Sequence, residues 1–146
     1  MNKIGYVSIE DANNYISSHY LSTDTKRDSW DKMSEEDKTV LLTQSLDIIE
    51  NLSFIGRKTD KEQELSFPRN GSKVIPEKIK SAQIVGALSI LDSDGTYEAI
   101  ESGITSERVG NVSYTYSKTN EIKKCRPEMY KFLKGYIKNI QILNIR

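Results

Sequence analysis

Phe54-Ile-Gly-Arg-Lys-Thr-Asp-Lys-Glu-Gln-Glu-Leu-Ser-Phe-Pro-Arg69 is a polar connector set between two apolar helical patterns. Gly56 can end a helix in the left-handed region and is read as the close of the preceding helix. In the short extended run that follows, Leu65 and Phe67 project to one side. Pro68 holds the residue before it extended and blocks helical continuation. The stretch is therefore expected to be a rigid structural joint carried by Gly56, Leu65, Phe67, Pro68 and Arg69. Its bases Arg57, Lys58 and Arg69 either present positive charge or pair with Asp60, Glu62 and Glu64.

Upstream of the joint, Ser8-Ile-Glu-Asp11 has the form of a capping box, and Ala12, Tyr15, Ile16, His19 and Tyr20 follow at helical spacing over about 8–20. Ser22 to Asp28 reads as a loop, with Trp30 anchoring its return. Ser34-Glu-Glu-Asp37 repeats the capping logic, with acids where the helix macrodipole favours them. Val40, Leu41, Leu42, Ser45, Leu46, Ile48, Ile49 and Leu52 then form a broad stripe over about 35–52, the expected spine of the fold.

Downstream, Asn70-Gly71 signals a turn and Pro76 suits a first helical position. From Ile79 to Leu91 apolar and small residues occupy nearly every face, so this helix is expected to be central or to touch a second subunit, with Gly86 permitting close approach. Residues 104–117 change period: Val109, Val112, Tyr114 and Tyr116 are β-branched or aromatic around a Gly110-Asn111 turn, predicting a hairpin or extended arm. Pro127 opens a last helix over about 127–137, with Met129, Tyr130, Phe132, Leu133, Tyr136 and Ile137 as its apolar side. Ile140, Ile142 and Ile145 then alternate within residues 139–146 like a strand that needs a partner. The predicted fold is mainly α: a small bundle of about four helices with an extended hairpin-like arm and a C-terminal strand or tail. It divides into a helical core over 1–103 and an assembly segment over 104–146.

The chain has 146 residues, 36% hydrophobic and 29% charged, too apolar for a disordered chain and too polar for a membrane protein. It lacks both a run of roughly 18 apolar residues and an N-terminal apolar stretch, so a soluble protein made inside the cell is expected. Cys125 and His19 are the lone cysteine and histidine, which leaves too few ligands for a zinc site within one chain. Asp92-Ser-Asp-Gly95 has faintly calcium-like spacing, but the twelfth position falls on Gly103, which has no carboxylate. No phosphate cradle of the Gly-x-Gly-x-x-Gly or P-loop type is present. His19 sits four residues after Tyr15 on an amphipathic stripe, a packing position. No catalytic residue, cofactor or metal is expected. Charge is uneven: residues 1–117 hold 13 basic and 19 acidic side chains, residues 118–146 hold 8 and 2. A segment so biased is expected either to meet an acidic partner, nucleic acid or the acidic body of another copy, or to be simply a solvated lysine-rich helix face.

The start Tyr6-Val7-Ser8, Trp30, the run from Gly56-Arg-Lys through Gln63, Leu65 and Phe67-Pro68-Arg69, and the opening Ile75-Pro76 that leads to Leu91 together resemble the small head-tail connector (adaptor, head-completion) proteins of tailed phages. Some members of that family are labelled DnaT-like single-stranded-DNA-binding proteins. Phe67 stands where the family usually has Trp, keeping the packing role without the indole donor. The resemblance covers most of the first 91 residues. It implies a dodecameric ring beneath the portal, at the neck of the virion, that extends the DNA channel and docks the next neck or tail-completion protein. The subunit and portal contacts would fall on Val109, Val112, Tyr114, Tyr116, Ile140, Ile142, Ile145 and Arg146. The alternative is a single-stranded-DNA-binding module, in which lysines 118, 123, 124, 131, 134 and 138 track a backbone while Tyr116, Tyr130, Phe132 and Tyr136 stack bases. Amphipathic spacing turns most of those aromatics inward.

Overall fold

A computed structural model of the chain describes residues 2–92 and 125–138. Among these, a two-stranded antiparallel hairpin, β1 (Lys3–Ile4) and β2 (Val7–Ser8), leads into five helices: α1 (Ile9–His19), α2 (Thr25–Asp31), α3 (Glu35–Glu50), α4 (Glu77–Asp92) and α5 (Pro127–Leu133). The fold is mainly α, as the periodicity predicts. Val109, Val112, Tyr114, Tyr116, Ile140, Ile142, Ile145 and Arg146, the boundary at 103/104, the predicted arm and the predicted terminal strand lie outside the described residues.

The helix starts follow their local chemistry. Ser8 Oγ accepts from the Asp11 amide at 3.0 Å and the Asp11 carboxylate accepts from the Ser8 amide at 3.0 Å, the reciprocal capping box. Those bonds hold the Asp11 carboxyl below its ordinary value, the Ser8 amide contributing most. Ser34 Oγ likewise accepts from the Asp37 amide at 3.1 Å. The expected loop at 22–28 is corrected by α2, which begins within it. Asp24 caps its start by accepting from the Lys26 amide at 2.8 Å, and Trp30, wholly buried, anchors the turn. The last helix ends at Leu133 and not at 137, because Gly135 and its neighbours form a turn that brings Ile137 into an antiparallel bridge with Phe54.

The core is built around α4. From Ala82 to Ile90 every residue is buried, which is possible because α1, α2, α3 and α5 all pack on it. Met129 and Leu133 of α5 join the same cluster as Ile16, Leu42 and Ile49. One member of the predicted α3 stripe departs from it, and one residue outside the stripe is buried. Val40 is 52% exposed. Lys38 is buried in its neighbourhood: its stem lies along the core edge, its Nζ sits 5.3 Å from the centre of the Trp30 ring and donates to Asn13 Oδ1, which also accepts from Trp30 Nε1 at 2.8 Å.

Gly86 makes the close approach possible. A β-carbon there would stand 2.6 Å from Met129 Sδ and nearer still to Ser45 Oγ, so α3 and α5 both bear on the same point of α4. Gly86→Val is expected to push both helices outward and lower stability by about 2–3 kcal/mol, the scale of overpacking a tight core. Denaturant titration monitored by Trp30 fluorescence measures it, and an unchanged midpoint would refute the crossing.

Candidate functional site: the joint and its basic end

Residues 53–76 fold over the C-terminal end of α3 with few regular backbone bonds of their own, so side chains set their shape. Phe67 is 4% exposed and holds the centre. Its ring meets Phe54 edge-on at 4.8 Å, Tyr136 at 5.7 Å and Tyr6 at 6.2 Å between centroids, aromatics from three separate segments. The Phe67–Pro68 peptide is cis. Leu65 packs beside this cluster, half-buried.

Arg69 is the tie. Its Nε donates to Ile55 O at 3.0 Å, Nη1 to Ser66 O at 3.0 Å, and Nη2 to Gly56 O at 2.6 Å and Phe54 O at 3.3 Å, while the guanidinium lies over the Phe54 and Phe67 rings. The planar fork thus gathers carbonyls from both ends of the joint. Of the two readings offered for Arg69, surface charge or a partner for Asp60, Glu62 and Glu64, neither describes it. Lys58 also spends a donor on a carbonyl, that of Gln63 at 3.3 Å.

Gly56 has the left-handed backbone expected of it, with φ +87°, yet it does not close α3, which ends at Glu50 with Asn51 as its cap. The reason lies across the joint. The place a Gly56 side chain would occupy is filled by the Asn70 amide, whose Oδ1 accepts from the Arg57 amide at 3.2 Å. Asn70 and Gly71 both have positive φ, forming the predicted turn.

A second network fastens the joint to the rest of the molecule. The Tyr6 hydroxyl donates a short hydrogen bond to Glu50 Oε2 and accepts from the Phe67 amide at 3.2 Å, while Glu50 Oε1 accepts from the Ser66 amide and hydroxyl at 2.9 and 3.0 Å. At the other end of Tyr6, its amide donates to Gln83 Oε1 at 3.0 Å, and Gln83 Nε2 donates to Ile4 O and Leu42 O. Hairpin, α3, α4 and joint therefore share one buried chain of polar contacts. Sequence reasoning missed Tyr6, Glu50 and Gln83 as a set. The one signal available was a glutamine, Gln83, inside an otherwise apolar run.

Burial, followed by the Glu50 contact, pushes the Tyr6 phenol far above its ordinary value of 10.0. The folded state resists losing this proton. Its contribution to stability is whole below the ordinary phenol value and is lost as pH rises beyond it towards the raised folded value. Tyr6→Phe is expected to flatten the alkaline limb of the stability curve while lowering stability at neutral pH by about 1–3 kcal/mol, because Glu50 loses a donor. Parallel melting curves from pH 7 to 11 read both effects.

On the joint and the turn that docks against it, Arg57, Lys58, Lys61, Lys73, Lys134 and Lys138 are exposed, as are the acids Asp60, Glu62 and Glu64, so bases outnumber acids there. The far end of α3 is acidic: Glu35, Glu36 and Asp37 fill its first turn, and Glu35 and Glu36 line a groove with Glu10, Ile4 and Ile9. At 16 residues, α3 separates these ends by about 24 Å. The aromatics beside the bases are committed to packing: Phe54 and Phe67 are buried, and Tyr130, Phe132 and Tyr136 are half-buried. His19 stacks on Tyr15 at 3.9 Å on the rim of α1, away from the joint. Among the described residues no group of three or more His, Cys, Asp or Glu could hold a metal ion, and no helix is long and apolar enough to cross a membrane.

These features define a small helical domain whose distinctive part is a side-chain-locked joint with a basic surface. A family model described as "Putative DnaT-like ssDNA binding protein" matches residues 4–146, and the chain belongs to that family. No curated protein and no solved structure matches the chain.

Proposed function

We propose that the chain is a structural subunit of a phage neck, a head-tail connector whose copies form a ring under the portal, extend the DNA channel and receive the next neck or tail-completion protein. The role is mechanical and non-catalytic, and its place of action is the virion. The observation that carries the reading is the convergence of the residues behind the connector resemblance. Tyr6, Gly56, Phe67 and Arg69 meet in one joint, fixed to α3 and α4 by buried side-chain bonds. A part that transmits position between neighbours needs such rigidity. Contacts with portal and sister subunits are assigned to the 104–117 arm and to residues 139–146, since extended segments add interface that a small core lacks.

Deleting residues 139–146 is expected to leave helical content and melting nearly unchanged while abolishing co-sedimentation with portal. Retained attachment would count against the role.

The second reading, a single-stranded-DNA-binding module, is favoured by the family's description and by the basic end at Arg57, Lys58, Lys61, Lys73, Lys134 and Lys138. Against it stands the packing of the neighbouring aromatics, which leaves little ring face for bases. An oligonucleotide shift that weakens steeply with salt would support this second reading.

A further inference from the structure

At the end of the molecule remote from the joint, an open groove of about 660 Å³ runs between the starts of α1 and α3. Ile4 and Ile9, both half-buried, give it apolar surface, and the exposed acids Glu10, Glu35 and Glu36 flank it from the two helices. No base lines it, and the ion pairs among the described residues leave these three acids unused. One turn along α3 from Glu36, the exposed Val40 continues the apolar surface.

The joint presents the opposite pattern. Ile55, 51% exposed, is followed by Gly56 in the left-handed region and then by the exposed bases Arg57 and Lys58. This knuckle is rigid: the Ile55 amide donates to Tyr136 O at 2.8 Å, the Ile55 carbonyl accepts from Arg69 Nε at 3.0 Å, and the Arg57 amide donates to Asn70 Oδ1 at 3.2 Å. Among the described residues nothing takes up the Arg57 guanidinium. The acids Asp60, Glu62 and Glu64 belong to the next turn, past the Lys58–Arg69 bridge.

We propose, on the assembly reading above, that the Ile55–Lys58 knuckle of one copy docks in the Glu10, Glu35 and Glu36 groove of the next. Each surface joins exposed apolar atoms to charge, and the two charges are opposite, the complementarity that fixes orientation and register at an interface. The two halves cannot meet within one chain, because α3, at 16 residues, holds them about 24 Å apart on one packed core, farther than a side chain reaches. A second copy brings the matching half with it. With 21 basic and 21 acidic side chains, copies also have no net charge to drive them apart. Different surfaces on successive copies make the contact heterologous, the type that generates a ring when its rotation closes. It adds to the contacts assigned to the arms.

The test is a charge swap in full-length chains, read by sedimentation velocity. Glu10→Lys/Glu36→Lys makes the groove basic, and Arg57→Glu/Lys58→Glu makes the knuckle acidic. Each variant alone is expected to self-associate about tenfold more weakly than the unmodified chain, while an equimolar mixture recovers to within about threefold, since every groove again finds a knuckle of opposite charge. Circular dichroism checks the helices; should the lysine variant melt, Glu10→Gln/Glu36→Gln, milder at the helix starts, decides by the same loss. An unmodified chain that stays monomeric up to about 1 mM overturns the proposal. So do variants that associate as the unmodified chain does, or a mixture that fails to recover. Carbodiimide coupling in a mixture of isotope-labelled and unlabelled chains should join Lys58 of one to Glu10, Glu35 or Glu36 of the other. Coupling of those acids to lysines 118, 123 or 124 of the same chain would mean that the chain's own segment fills the groove, and would overturn the proposal. Portal co-sedimentation is scored on the same chains. Swap-restored association without portal attachment keeps this inference and sinks the neck role; attachment without self-association does the reverse.

Discussion

Phe67→Ala is expected to lower stability by about 3–5 kcal/mol, the range for truncating a buried aromatic. For a domain of this size that is a large share of the total. The effect should be this large because the ring has no single neighbour that can move in to replace it. Phe54, Tyr6 and Tyr136 approach it edge-on from three segments, and Arg69 covers it at 5.8 Å. Each of those segments is itself held elsewhere, Tyr6 by Gln83 and Glu50, Tyr136 through its carbonyl to the Ile55 amide, so collapse onto the void is limited. Chemical denaturation measures the loss. Phe67→Trp should be milder, because it keeps a buried aromatic ring and leaves no void. A midpoint unmoved by Phe67→Ala would mean that the joint is not part of the cooperative unit.

The second large effect is expected at Arg69. Arg69→Ala removes every donor that the guanidinium supplies to the Phe54, Ile55, Gly56 and Ser66 carbonyls. Part of the site is open to water, which rehydrates some of these acceptors, so the loss should be on the order of 2–3 kcal/mol. Arg69→Lys should recover less than half of it. An ammonium is a single point of charge and cannot span carbonyls arranged around a planar fork. The same pair of variants separates two roles. A residue that only touched a phosphate backbone would leave melting unchanged and reduce the salt dependence of DNA binding by about one charge.

What the sequence disclosed, and what it hid, follows from the range of each interaction. The caps at Ser8 and Ser34, the turn at Asn70-Gly71 and the enclosed run from Ile79 to Leu91 depend on residues a few positions apart, so their patterns are written locally. The helix at Thr25–Asp31 was hidden because Thr-Lys-Arg-Asp-Ser-Trp-Asp has one buried residue and no stripe. Gly56 showed its left-handed preference, but the partner that uses it, Asn70, lies fourteen residues away. Arg69 was harder still. Its acceptors are backbone carbonyls, which every residue carries, so neither composition nor spacing marks them. The burial of Lys38 had no mark in the sequence, because nothing local announces the Asn13 and Trp30 side chains it meets. That Phe67 and Leu65 turn towards the core was legible because a proline and an alternating apolar pair constrain the backbone wherever they occur.

The separation of acids at one end of α3 from bases at the other has a consequence for how the molecule meets anything charged. With equal numbers of acidic and basic side chains, the chain feels almost no pull as a whole from a distant field. Its described ends nonetheless differ in sign, so the field exerts a torque. The domain would arrive already turned, base-first towards a polyanion and acid-first towards a cationic rim. That alignment fades beyond about 10 Å at 0.1 M salt, so it sorts orientations only in the last moments before contact.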